Sequence, residues 1–298
     1  RVSSASPSPE RASARTARPL AAARRAVRAA STPAKAVLSP AADAEGYHGR
    51  AAARDGAAGL PRGAAAPIVP SDATGESRMA DHAPAEEPRP RPQPGDALVV
   101  IDLQRDFLPG GALAVPEGDR VADPVNRLAA AFPAVVATQD WHPAGHASFA
   151  SRHPGAEPFS TVAFSYGPQT LRPDHCVIGS PGAAFAPGFE SDRAQLIVRK
   201  GFRPEIDSYS AFFENDGATT TGLAGWLRAR GIGRLFLAGL ATDFCVGWSV
   251  KDARRLGFEA VLVEDACRAI DLDGSLAAAM ADMAAAGATR ARVADVLA

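Results

Sequence analysis

Two textures of apolar and polar positions meet near residue 96. Downstream of it, short apolar runs alternate with stretches in which apolar residues recur at helical spacing. The runs Ala97–Asp102, Ala134–Thr138, Gln195–Arg199, Arg234–Ala238 and Ala260–Val263 read as strands, with a weaker sixth near Arg290–Val293. Helical spacing covers Val121–Ala131, Gly222–Arg230, Asp243–Leu256 and Ser275–Ala286. Strands alternating with helices are the pattern of a parallel sheet flanked by helices, so one α/β domain is expected over residues 96–298. The stretch from Trp141 to Asp192, rich in Pro, Gly, His and Ser, shows neither period. A loop of that length inside a compact domain is expected to carry function.

Upstream, residues 1–95 are dominated by Ala, Arg, Pro, Ser and Gly, and their apolar positions follow no period for long. A segment of that kind cannot bury enough apolar surface to offset the entropy of ordering it, so a disordered arm is expected. Its charge differs as well: 14 Lys/Arg stand against 9 Asp/Glu in residues 1–95, and 18 against 24 in the remainder. Residues 1–40 hold eight basic residues and one acid, Glu10, a composition shared with organelle transit peptides. The preferred reading is instead that the first methionine, Met79, is the true start and that the residues before it are an extension.

An acidic folded part argues against a nucleic-acid partner, which would select a concentrated basic face. No run approaches the roughly 18 apolar residues of a membrane-spanning helix, so no membrane partner is expected. Three cysteines do not make a disulfide framework, and a reducing cytoplasm is the expected setting.

Several residues stand where chemistry is feasible. Asp102 ends the first apolar run, so its carboxylate should emerge at the carboxyl edge of the sheet, where open α/β sheets carry their ligand crevice; a loop-capping aspartate is the plain alternative. Lys200 follows the run QLIVR and should reach the same edge, unless it is simply solvated. Cys245 falls in the first turn of the helix after RLFLA, with Thr242 as its cap. Unpaired amides and the helix dipole there favour a thiolate and could hold an oxyanion. Cys176 and Cys267 read as small buried hydrophobes.

The segment QDWHPAGH sets Asp140 and His142 two residues apart, which in extended chain face the same way, and the turn after Pro143 can return His146. His175, in RPDHC, is a candidate fourth ligand. A carboxylate with imidazoles suits one divalent ion such as Zn, Fe or Mn, and surface histidines in a turn are the alternative.

Taken together, VIDLQRDF with GGALAV, QDWHP, SFAS, PDHCV, RKG with DSYSAF, GLATDFCV and the late GATR resemble, in order and spacing from Ala97 onward, the nicotinamidase/pyrazinamidase branch of the isochorismatase-like cysteine hydrolases. The resemblance implies a six-stranded, mostly parallel Rossmann-like sheet with helices on both faces. It implies a triad matched by Asp102, Lys200 and Cys245, and metal ligands matched by Asp140, His142, His146 and His175. It also implies a cis peptide at Leu240–Ala241, an oxyanion hole from the amides of Ala241 and Cys245, and a ring pocket lined by Phe107 and Tyr209. The activity implied is hydrolysis of nicotinamide, a small-molecule substrate, to nicotinate and ammonia, with pyrazinamide as a second substrate and a thioester on Cys245.

One position departs from the pattern. Arg172 stands where the resembled branch has a Trp that packs on the substrate ring, and it brings charge and hydrogen-bond donors to an apolar wall. Two other readings compete: a related amide or ureido hydrolase of altered substrate, and an inactive binding domain. Neither composition nor motif sets the oligomeric state, which leaves a homo-oligomer open.

Overall fold

In the computed structural model, which describes residues 90–298, six strands form one parallel sheet in the order β5-β2-β1-β6-β7-β8. They are β1 (Asp96–Ile101), β2 (Val135–Asp140), β5 (Leu196–Lys200), β6 (Arg234–Leu240), β7 (Glu259–Arg268) and β8 (Thr289–Ala291). The helices are α1 (Ala122–Ala131), α2 (Leu223–Ala229), α3 (Gly247–Arg255), α4 (Ser275–Ala285) and α5 (Val293–Leu297). Of the disordered arm expected over residues 1–95, residues 1–89 lie outside the described residues, and so do the transit-peptide reading and the start at Met79.

Burial explains why these runs are strands in the middle of the sheet. Every residue of β1 and β2 is buried, and so is all of β6 after Arg234. A strand covered on both faces reads as a continuous apolar run. At the rim, β5 alternates between buried and open positions.

The crossovers locate the crevice. From β1 the chain steps through α1 to β2, toward the β5 edge. From β6 it steps through α3 to β7, toward the β8 edge. Parallel crossovers are right-handed, so steps in opposite directions put α1 and α3 on opposite faces and make the β1/β6 boundary a switch point. The carboxyl ends of β1 and β6 therefore open onto a cleft. Gly239, φ +123°, permits the contact there, since a Cβ would lie 2.1 Å from the Ile101 carbonyl oxygen.

The structure adds pieces that the apolar pattern did not reveal. Within the long loop, β3 (Thr161–Phe164) and β4 (Gly167–Thr170) form an antiparallel hairpin, half open to solvent and containing Pro168. β7 runs to Arg268, beyond the expected Val263, because its far end pairs with β6 past a register shift, Gly239 opposite Cys267 and Leu240 opposite Arg268. The expected helix from Asp243 starts as a π-helical turn, Thr242–Val246, before α3 begins at Gly247. Among the described residues no helix is long and apolar enough to cross a membrane.

Candidate active site

Strand register delivers the first group of side chains. Asp140 and Lys200 are the last residues of β2 and β5 and face each other as partners. Asp102 follows β1 with φ 45°, a left-handed conformation that turns the chain sharply. Its backbone N–H donates to Thr138 Oγ1 at 3.0 Å, and that hydroxyl donates to Asp102 Oδ1 at 2.5 Å. The side chain is thereby fixed with its second oxygen toward Lys200.

Lys200 is fully buried and its ammonium is surrounded. Nζ donates to Asp140 Oδ1 at 2.5 Å and to the Ser208 carbonyl at 2.9 Å. It lies 2.8 Å from Asp102 Oδ2 and 3.6 Å from Cys245 Sγ. Burial works against its charge, but Asp102 and Asp140 outweigh that and hold the ammonium protonated well above its ordinary range. Asp102 Oδ2 is fully buried, and the Lys200 ammonium is its cationic partner. Cys245 Sγ lies within 4.8 Å of carboxylate oxygens of Asp102 and Asp140, which sets the Asp102 carboxylate beside the thiol.

The thiol differs from the helix-dipole expectation. Burial pushes Cys245 well above the usual thiol range, and the neighbouring Asp102 and Asp140 add to this, with Lys200 opposing. Thr242 makes no side-chain cap; Ala241 occupies the N-cap position of the π-helical turn. In this arrangement the thiol needs a base, and Asp102 is suited to the task. Burial raises its pKa above the carboxylate norm, Lys200 only partly opposing, so it binds a proton readily and can return it. The Leu240–Ala241 peptide is cis, and Ala241 and Cys245 both line the pocket.

Asp140 also faces a second group. Its Oδ2 lies 3.7 Å from His142 Nε2 and 3.6 Å from His175 Nε2. Burial would raise its pKa, but Lys200 and the two imidazoles hold it well below the carboxylate norm. His142 Nδ1 is 2.8 Å from the Gly201 carbonyl, and His175 Nδ1 is 2.8 Å from the Pro173 carbonyl. A carbonyl can only accept, so both rings carry their proton on Nδ1 and turn an Nε2 lone pair toward Asp140. His142 Nε2 is buried without any partner. Two imidazole lone pairs and a carboxylate oxygen, mutually within 4.8 Å, fit a divalent transition ion.

His146 is the one expected ligand whose nitrogens the fold engages elsewhere. Nε2 donates to the Arg203 carbonyl at 2.7 Å, while Nδ1 accepts from the Ser148 N–H at 3.1 Å. It stacks behind His142, ring centroids 4.6 Å apart, and a nitrogen of its ring lies within 4.8 Å of ligand atoms of His142 and Asp207. Phe107, Tyr209 and Arg172 line the pocket together with Cys245 and His175.

A profile of the isochorismatase domain matches residues 96–295. The chain belongs to the isochorismatase family. Among curated members, the nicotinamidase of Acinetobacter baylyi is 49% identical over 201 residues, covering 67% of this chain and 94% of that one. The nicotinamidase of Escherichia coli is 46% identical over 207 residues, covering 68% and 97%. Solved isochorismatase-family structures superpose over the same region. An Acinetobacter baumanii nicotinamidase/pyrazinamidase has a TM-score of 0.67 at 49% identity, covering 68% of this chain and 98% of its own. PnC1 from L. infantum in complex with nicotinate gives 0.61 at 38%, covering 69% and 97%. The pyrazinamidase of Pyrococcus horikoshii in complex with zinc gives 0.54 at 36%, covering 67% and 99%.

Several contributors to this family site were not singled out from the sequence. Gln104 clamps the β2 end: its Nε2 donates to the Asp140 carbonyl at 2.9 Å and its Oε1 accepts from the Asp140 N–H at 2.8 Å. Asp207 lies 3.9 Å from His142 Nε2 and accepts from Gln169 Nε2 at 2.8 Å. Thr138 fixes Asp102. A polar residue at the end of an apolar run, as at Thr138, was the signal available; Asp207 and Gln169 sit in loop and hairpin without one.

Proposed function

We propose that the chain hydrolyses nicotinamide to nicotinate and ammonia, and pyrazinamide likewise, through a thioester on Cys245. The observation that carries this reading is the Asp102 carboxylate beside a buried thiol, with Lys200 Nζ 2.8 Å from Asp102 Oδ2 and 3.6 Å from the sulfur. Membership of the family and the two nicotinamidases above 45% identity support the substrate.

Asp102 takes the proton of Cys245, and Lys200 stabilises the sulfur charge as the thiolate attacks the carboxamide carbon. The amides of Ala241 and Cys245 hold the oxyanion. Protonated Asp102 gives its proton to the departing nitrogen, the C–N bond breaks, and ammonia leaves a thioester. Asp102 then accepts a proton from water as it adds to the thioester, nicotinate departs, and the thiol is restored. Phe107 and Tyr209 flank the ring. Asp140, His142 and His175 would hold one divalent ion, a reading supported by the zinc complex of the Pyrococcus horikoshii pyrazinamidase, and His146 buttresses His142 from behind. When bound, the ion supplies a Lewis-acid anchor for the ring nitrogen.

Ammonia release from nicotinamide by the purified full chain tests the activity, and mass-spectrometric trapping of an acyl group on Cys245 tests the route. Activity persisting in Cys245→Ala would overturn the covalent mechanism.

A further inference from the structure

Among the described residues, Arg172 differs from Lys200 in having no carboxylate paired with it. The residue is 5% exposed and its backbone is held on both sides, its N–H donating to the Ser148 carbonyl and its carbonyl accepting from the Ala150 N–H. Its guanidinium carbon lies 4.8 Å from the Phe244 ring centroid, 5.7 Å from that of Phe159 and 5.9 Å from that of Tyr209. The nearest acceptor is the Tyr209 hydroxyl, 3.5 Å from Nη2. Among the described residues no carboxylate pairs with it. Asp207 acts on it through space, but its two oxygens accept from Ser208 N–H and Gln169 Nε2, each at 2.8 Å.

A guanidinium offers five N–H donors, and burying them without acceptors is costly. Lys200, equally buried, is met by two carboxylates and a carbonyl. The side-chain atoms that are sealed and make no hydrogen bond among the described residues are Asp102 Oδ2, His142 Nε2 and Glu214 Oε2. The spare nitrogens of Arg172 are therefore reached from the pocket, which the residue shares with Cys245 and His175. Three aromatic rings surround the fork, a setting in which a guanidinium recognises a carboxylate through paired hydrogen bonds.

We propose that Arg172 is a specificity-determining residue and that the preferred substrate is a small heteroaromatic carboxamide carrying a second, anionic group such as a carboxylate. This rests on the amide-hydrolase reading above. The carboxamide is placed at Cys245 and the anion completes Arg172. The negative charges of Asp102 and Asp140 do not repel it strongly, since Lys200 sits between them.

The test measures kcat/KM of the metal-loaded full chain for nicotinamide and for nicotinamides bearing one carboxylate at each free ring carbon. At least one anionic amide should exceed nicotinamide in wild type. Arg172→Met should lower that preference by at least about tenfold, and Arg172→Lys by less, because charge is kept while the fork is lost. Turnover of nicotinamide with no anionic amide preferred, or a preference that survives in Arg172→Met, overturns the proposal and leaves the hydrolase reading standing. Absence of ammonia from every amide overturns the hydrolase reading instead. Calorimetric titration with pyridine dicarboxylates then reads Arg172 without turnover: binding at least about tenfold weaker in Arg172→Met supports the anion contact, and equal or no binding sinks it.

Discussion

Substituting Asp102 by Asn isolates the proton-accepting role of one carboxylate. Asparagine keeps the shape, tolerates φ 45° and can still accept from Thr138 through its carbonyl oxygen. Lys200 retains Asp140 at 2.5 Å and the Ser208 carbonyl at 2.9 Å, so no buried ammonium is stranded and the fold should persist. Two effects then oppose each other. Losing a positioned base costs about a hundred- to ten-thousandfold. Removing the Asp102 charge also removes one of the influences that raise the thiol, which recovers part of that loss. The expected fall in kcat/KM is therefore in the lower half of the range, about a hundred- to a thousandfold, or about 3–4 kcal/mol of transition-state stabilisation. The pH profile adds an independent sign. A protonated base cannot act, so wild-type kcat/KM should fall as pH drops through the Asp102 pKa, which burial places above the carboxylate norm. Asp102→Asn should lack that acid limb. Ammonia release measured across pH on protein with a wild-type melting temperature decides the matter: more than about a tenth of wild-type kcat/KM, or an unchanged acid limb, refutes the base assignment.

Other expectations follow from the same geometry. Metal analysis of purified variants should show the ion lost from His142→Ala and His175→Ala but kept in His146→Ala, whose nitrogens are already engaged; loss in the last would restore it as a ligand. Gly201→Ala should destabilise the fold by about 1–3 kcal/mol and lower metal content together, because φ is +70° and the new Cβ would lie 2.5 Å from His142 Cε1; an unchanged melting curve would show that the ring gives way freely. A chain shortened to begin at Met79 should match the full chain in kcat/KM and melt within a few degrees of it, and a larger drop would show that the arm contributes to the folded domain.

The parts of this site that were legible beforehand are those at strand ends. Asp102, Asp140 and Lys200 each close or follow an apolar run, and in a parallel sheet such residues must gather at one edge. The loop-borne parts were not legible by that rule. The β3–β4 hairpin is half exposed and contains Pro168, so it lacks the signature of a buried strand. His146 shares with His142 the short spacing of a metal motif, but spacing is silent on which ring nitrogens the backbone will occupy. The thiol expectation failed for a related reason. A helix terminus was visible in the sequence, whereas burial beside two carboxylates was not, and burial dominates.

The same division separates bond breaking from substrate choice. Asp102, Lys200 and Cys245 depend on β1, β5 and the end of β6, whose relative positions are set by sheet register and by the close approach at Gly239. Their distances cannot shift without disturbing a fully buried core. Arg172, Phe159 and Gln169 belong to the long segment between β2 and β5, whose parts are joined to one another by single bridges such as Phe149 with Arg172 and His142 with Val177. A substitution in that segment changes what the pocket recognises without reaching the register that aligns thiol, base and ammonium. Replacing an aromatic wall by a guanidinium is such a change, and its consequences should therefore appear in which amide is preferred and in KM before they appear in the chemistry at sulfur.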